Sequence, residues 1–194
     1  MRKIWLALLL PLLRAADVTV LMNGDAIVPN PVSYPAKTQV TRIFTAIGVR
    51  LVWQSKESQA ASPFRIHAKF TTSIPKSSHP GALAYAEPFN GNPVITVMYD
   101  RILATAAGRP RLVSALLAHV LAHEIGHILL ATDSHANTGI MKALWSNADY
   151  EEMERTPMLF EPEDEDSIRK RIATESVQGF VQSRTPHRHS TPIG

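Results

Sequence analysis

No cysteine occurs in this 194-residue chain. Disulfides and thiolate metal ligands are therefore excluded, and folding needs no oxidising compartment. A large excess of one charge is also missing, since the formal net charge is only +3. The basic run Arg169-Lys170-Arg171 faces the acidic stretch 161–166, and a solvated helix surface accounts for both. No nucleic-acid partner is expected. Hydrophobic runs near the N-terminus are short: Ile4–Leu13 is interrupted by Pro11 and falls below the roughly 20 residues of a spanning helix. No integral membrane span is expected.

What stands at the N-terminus instead has the layout of an export signal. Arg2 and Lys3 precede the apolar run, and Ala15 and Ala16 supply small residues for cleavage. Residues 1–16 are therefore expected to be a signal peptide, and the mature protein to be secreted or periplasmic. Residues 17–182 are enough for one domain with its own core. Residues 183–194, with His187 and His189, read as a disordered tail.

Between these ends the periodicities alternate. Asp17–Met22 reads as a strand, Pro29–Pro35 as a loop, and Ala36–Ile47 as an amphipathic helix stopped by Gly48. Val49–Trp53, Phe64–Phe70, Ala82–Ala86 and Val94–Met98 read as strands, with turn chemistry at Asn23-Gly24-Asp25 and Phe89–Pro93. His67 falls inside an alternating strand and is expected on its face. Thr71–Pro80 is a Ser/Pro-rich surface loop. Pro162–Glu175 reads as a final helix, acidic in its first turn and basic towards its end, as the helix dipole favours.

The chemistry concentrates in Leu112–Leu130, a stretch apolar around most of a helix circumference and read as a buried core helix. It holds His123-Glu124-Ile125-Gly126-His127. On a helix the two histidines project from one face about 6 Å apart, close enough for both to bind one Zn²⁺. Glu124 sits beside the metal position, where it can act on a water as a general base. Buried and unligated, these three side chains would be costly to desolvate. His119 lies one turn earlier and lacks a glutamate after it, so it is read as a core residue or a support for the ligands.

The residues that follow resemble the metzincin group of zinc peptidases, whose pattern is H-E-x-x-H-x-x-G-x-x-H followed by a turn carrying Met. Here the glycine position is Leu130 and the third-histidine position is Asp133, with a histidine two residues later at His135. Gly139-Ile140-Met141 looks like the Met-turn. The resemblance implies a third metal ligand, with His135 preferred and Asp133 the alternative. It implies that Met141 packs beneath the site, that Tyr150 is a candidate assistant at the metal, and that Ala82–Ala86 is an edge strand pairing with an extended peptide.

The fold class expected is α+β and zincin-like: a twisted mixed sheet with an N-terminal helix, a zinc-binding helix and a C-terminal helix. The activity the resemblance implies is zinc-dependent peptide-bond hydrolysis, with one Zn²⁺ on His123, His127 and His135 and with Glu124 as general base. The alternative is a zinc-binding but inactive domain that docks peptides or serves an envelope-structural role.

Overall fold

The computed structural model describes residues 17–23, 27–56, 64–72, 80–87 and 93–184. In chain order the elements are β1 (Asp17–Asn23), α1 (Asn30–Ala46), β2 (Arg50–Gln54), β3 (Phe64–Thr71), β4 (Ala84–Glu87), β5 (Val94–Met98), α2 (Tyr99–Ala106), α3 (Pro110–Leu130), α4 (Asn147–Met153) and α5 (Pro162–Arg184). The expected signal at 1–16, the 24–25 part of the first turn, most of the 71–80 loop, the 89–92 part of the second turn and residues 185–194 of the expected tail lie outside the described residues.

The architecture is α+β, with a five-stranded mixed sheet and five helices among the described residues. Strand order is β2-β1-β3-β5-β4. The first four run parallel, and β4 closes one edge antiparallel to β5. Alternation in β3 sends Phe64, Ile66, Ala68 and Phe70 into the core, while His67 stands half-buried on the opposite face. The register carries this alternation across the sheet. Met22, Ala68, Ile95 and Ala86 form one row, and Phe70, Val97 and Ala84 another. The rows end on β4 in alanines, small enough for α3 to pack closely against this edge.

α3 is the central element. Seventeen of its 21 residues are buried, and it packs against α1, α2, α4, α5, β4 and β5. By length and composition it could cross a membrane, yet it is enclosed by the other elements. Tilted stacking of Phe44 on Phe160, with ring centroids 5.2 Å apart, ties α1 to the segment preceding α5.

Several element boundaries differ from the sequence expectation. α1 begins at Asn30, inside the expected 29–35 loop, because Pro31 sits in the first turn, where a missing N–H costs nothing. Pro35 forfeits one interior bond, and burial of Ala36, Val40, Ile43 and Phe44 outweighs it. α2 and α4 were not expected as helices. α5 continues past Glu175 through Arg184, which includes the first two residues assigned to the tail. On its solvent face Arg169 pairs with Glu165 and Asp166, the ion pairs expected of that charge pattern.

Candidate metal centre

One turn of α3 separates His123 from His127 and brings their Nε2 atoms to 2.9 Å. Each ring is held from behind. His123 Nδ1 donates to the Ile140 carbonyl and His127 Nδ1 to the Thr132 carbonyl, both at 2.8 Å. A carbonyl only accepts, so each Nδ1 carries the proton and each Nε2 presents a lone pair. Two lone pairs at this distance repel unless a proton or a cation lies between them. Burial pushes the His123 pKa down to about 4, against the pull of the Ile140 carbonyl. Burial lowers His127 as well. Near neutral pH a proton is therefore disfavoured, and a cation satisfies both nitrogens.

His135 completes the group from the loop beyond α3. Its ring centroid lies 5.3 Å from that of His123 and 4.8 Å from that of His127. One nitrogen from each of the three rings lies within 4.8 Å of the others. A tetrahedral centre with metal–nitrogen bonds of about 2.0–2.1 Å needs ligand nitrogens about 3.3 Å apart. The three imidazole nitrogens bracket that separation, so these residues could hold a metal ion. Asp133 is exposed at the same cleft and near enough to raise the His127 pKa, but it stands outside this group of three.

The loop reaches His135 by a turn displaced from the metzincin-like spacing. α3 runs through Leu130, and Ala131 adopts the left-handed conformation (φ 52°). Ala131 N–H then bonds to Ile128 O and Thr132 N–H to His127 O, a Schellman closure. The turn falls one residue beyond the pattern's glycine, and the third histidine follows later.

Glu124 is buried beside this centre. Desolvation raises its pKa to about 8, while a hydrogen bond from the Ala86 N–H on β4 works the other way. Met98 N–H donates to Leu83 O at 2.9 Å. Alternation of the antiparallel pair then aims the backbone groups of Leu83, Tyr85 and Glu87 at β5, and those of Ala84 and Ala86 at the free edge. The bond from Ala86 to Glu124 agrees with this. A cleft of about 870 Å³ lies along the edge, walled by residues 80–87 on one side and by Lys142–Trp145 and Tyr150 on the other. His123, Glu124 and His127 form part of its floor.

Neither protein-family models nor curated proteins provide a match to this chain. The site stands on its own geometry.

The remaining sequence candidates have definite places. Met141 is buried beneath α3, its sulfur only 2.6 Å from where a Cβ on Gly126 would sit. Gly126 is thus the residue that lets the methionine turn approach the helix. His119 is a satisfied core histidine: Nδ1 donates to Ala115 O at 2.7 Å, and Nε2 accepts from Met158 N–H at 3.0 Å. Tyr150 is half-buried at the cleft, with its pKa raised by burial and then by the Asp149 charge. Trp145 was not singled out from sequence. Its ring meets His123 edge-on at 5.6 Å, and nothing in the local pattern around it announces that contact.

Proposed function

We propose that this chain is a zinc-dependent metallopeptidase with a zincin-like, specifically metzincin-like, catalytic domain. The observation that carries the reading is the pair of Nε2 lone pairs 2.9 Å apart with His135 alongside. A buried carboxylate next to the ligands and, among the described residues, an edge strand on the same cleft support peptidase chemistry over simple metal storage. His123, His127 and His135 would hold the ion, and an all-imidazole set suits Zn²⁺ with its fourth position open. When bound, such an ion supplies Lewis acidity, which acidifies water and polarises a carbonyl.

The chain's own residues do the rest. Glu124 takes a proton from the attacking water onto its carboxylate and delivers it to the leaving amine nitrogen. Burial alone would leave this carboxyl protonated near neutrality; a cation held by the three histidines would favour its ionised form. Ala86 N–H orients the carboxylate. The outward-facing N–H and carbonyl of Ala84 and the carbonyl of Ala86 pair with a substrate in extended conformation. Residues 1–16 support a secreted or periplasmic setting for this activity.

The test is metal content and peptide turnover of untagged protein with His187 and His189 replaced by alanine. About one zinc per chain is expected, lost in His127→Ala and His135→Ala but kept in Asp133→Ala. Glu124→Gln should keep zinc and lose at least ~100-fold in turnover. Zinc binding without turnover by the wild type across a peptide library would leave the docking or structural alternative. Absence of zinc after reconstitution would remove both.

A further inference from the structure

The loop that bears His135 is tied to α3 at Thr132 and at Ile140, and it closes on itself between Ala136 and Met141. Thr132 is tied to His127, and Ala136 N–H closes onto Met141 O at 2.8 Å. The tip of the lasso between them, residues 137–140, is gripped by a segment some twenty residues later in the chain. Ile140 N–H donates to Leu159 O at 2.9 Å, and Thr138 Oγ1 donates to Glu161 Oε1 at 2.6 Å. Gly139 completes the grip, because its backbone passes so close to Leu159 O that a Cβ would lie 2.7 Å from it.

The gripping segment is rigid for reasons of its own. Met158 and Phe160 are buried in the core. Met158 N–H is fixed on His119, Phe160 stacks on Phe44, and Glu161 O accepts from Glu165 N–H at 3.0 Å at the start of α5. Ile140 also joins the two halves of the centre, since its N–H is held by Leu159 while its carbonyl holds His123. The strap 158–161 therefore meets the ligands along two routes: through Ile140 to His123, and through Thr138 to the loop that bears His135.

We propose that Glu161 is a positioning residue for the metal centre, holding the His135 loop in its ligating conformation through Thr138. The inference rests on the metal-centre reading but not on peptidase activity. Without the Glu161–Thr138 bond the lasso tip gains freedom, and ligation by His135 must then order it again. The loss appears as weaker metal binding and faster metal release, with His123 and His127 still in place.

The experiment uses the full untagged chain, with His187→Ala and His189→Ala in every variant. Zn²⁺ affinity is measured by chelator competition, and ligand geometry by the visible spectrum of the Co²⁺ form. Glu161→Ala and Thr138→Val are each expected to weaken Zn²⁺ binding about tenfold, the lower end for groups supporting a ligand. The double variant should lose no more than either single one, and Glu161→Gln, which keeps the acceptor oxygen, should retain most of the affinity. Unchanged affinity, with or without a fall in the metal-free melting temperature, overturns the proposal and leaves Glu161 a structural cap. Additive losses overturn the shared route through Thr138. A wild type that takes up neither Zn²⁺ nor Co²⁺ overturns the metal centre itself, and the proposal with it.

Discussion

Two residues in the loops around the ligands occupy left-handed backbone with opposite suitability. Gly139 (φ 67°) is in the conformation its lack of Cβ allows, whereas Ala131 (φ 52°) is not. The left-handed region costs an ordinary residue roughly 1–2 kcal/mol. Gly139→Ala should therefore destabilise the metal-free protein by about 2–4 kcal/mol, once the clash with Leu159 O is added to the backbone term. Ala131→Gly should stabilise it by about 0.5–1 kcal/mol, strain relief being partly offset by the freedom glycine adds to the unfolded chain. Urea midpoints at constant m-value measure both, and a stability change of the same sign in the two variants would refute the assignment. Part of this loop was legible: the metzincin resemblance pointed to a turn at Gly139-Ile140-Met141, and it preferred His135 over Asp133 as the residue near His123 and His127, where the three rings do come together. The turn at Ala131 was not, because alanine rarely adopts that conformation and the Schellman bonds that close it carry no mark in the residue type. Asp133, at the spacing the metzincin pattern gives its third histidine, is exposed and stands outside the group of three histidines.

At the scale of the elements, the α3 histidine that binds no metal in this reading links the helix to the segment before α5. His119 is fully buried, and its Nε2 accepts from Met158 N–H, so protonation would set two donors against each other. Burial lowers its pKa from 6.5 to about 4, with the Ala115 carbonyl opposing. The folded state therefore resists a proton that the unfolded chain accepts. Stability is complete above pH 6.5 and falls as the pH drops from 6.5 towards 4, by up to ~1.4 kcal/mol per pH unit for one such group. His123 acts in the same direction, and Glu124, raised by burial, in the opposite one. Comparing His119→Gln with the wild type cancels both. In chelator-treated protein, the loss of urea stability between pH 6.5 and 5 should be smaller for the variant by about 1–2 kcal/mol; parallel losses would show that His119 is not the responsible group. The burial of α3 was legible from its apolar circumference. α2 and α4 were weaker signals: Tyr99, Ile102 and Ala106 make only two turns of an apolar stripe. The capping box of Ser146 with Asp149 announces α4, but its third-position residue is Asp where Glu or Gln is the usual mark.

At the scale of the whole molecule, the proposed function depends on strand order, which no local pattern specifies. Five strand segments were recognisable from alternation and turn residues. That β1 lies inside β2 and β3, and that β4 turns back to close the edge, follows from pairings far apart in sequence. The order matters because only an edge strand offers unpaired backbone groups to a ligand. Register then decides which residues of β4 are available. Ala84 N–H points to the free edge and Tyr85 N–H to β5, so proline at the two positions should act differently. Tyr85→Pro removes a ladder bond and should destabilise the protein, whereas Ala84→Pro leaves the ladder intact, as proline does on the outer side of edge strands. If extended peptides pair with β4, Ala84→Pro should raise KM about tenfold, the upper end for loss of one backbone hydrogen bond at about 0.5–1.5 kcal/mol. Zinc content and kcat should stay near wild type, because Glu124 is held by Ala86 and not by Ala84. An unchanged KM in Ala84→Pro, in a protein that still binds zinc and still cuts peptides, would mean that substrate enters the cleft along the Lys142–Trp145 wall without pairing to the sheet.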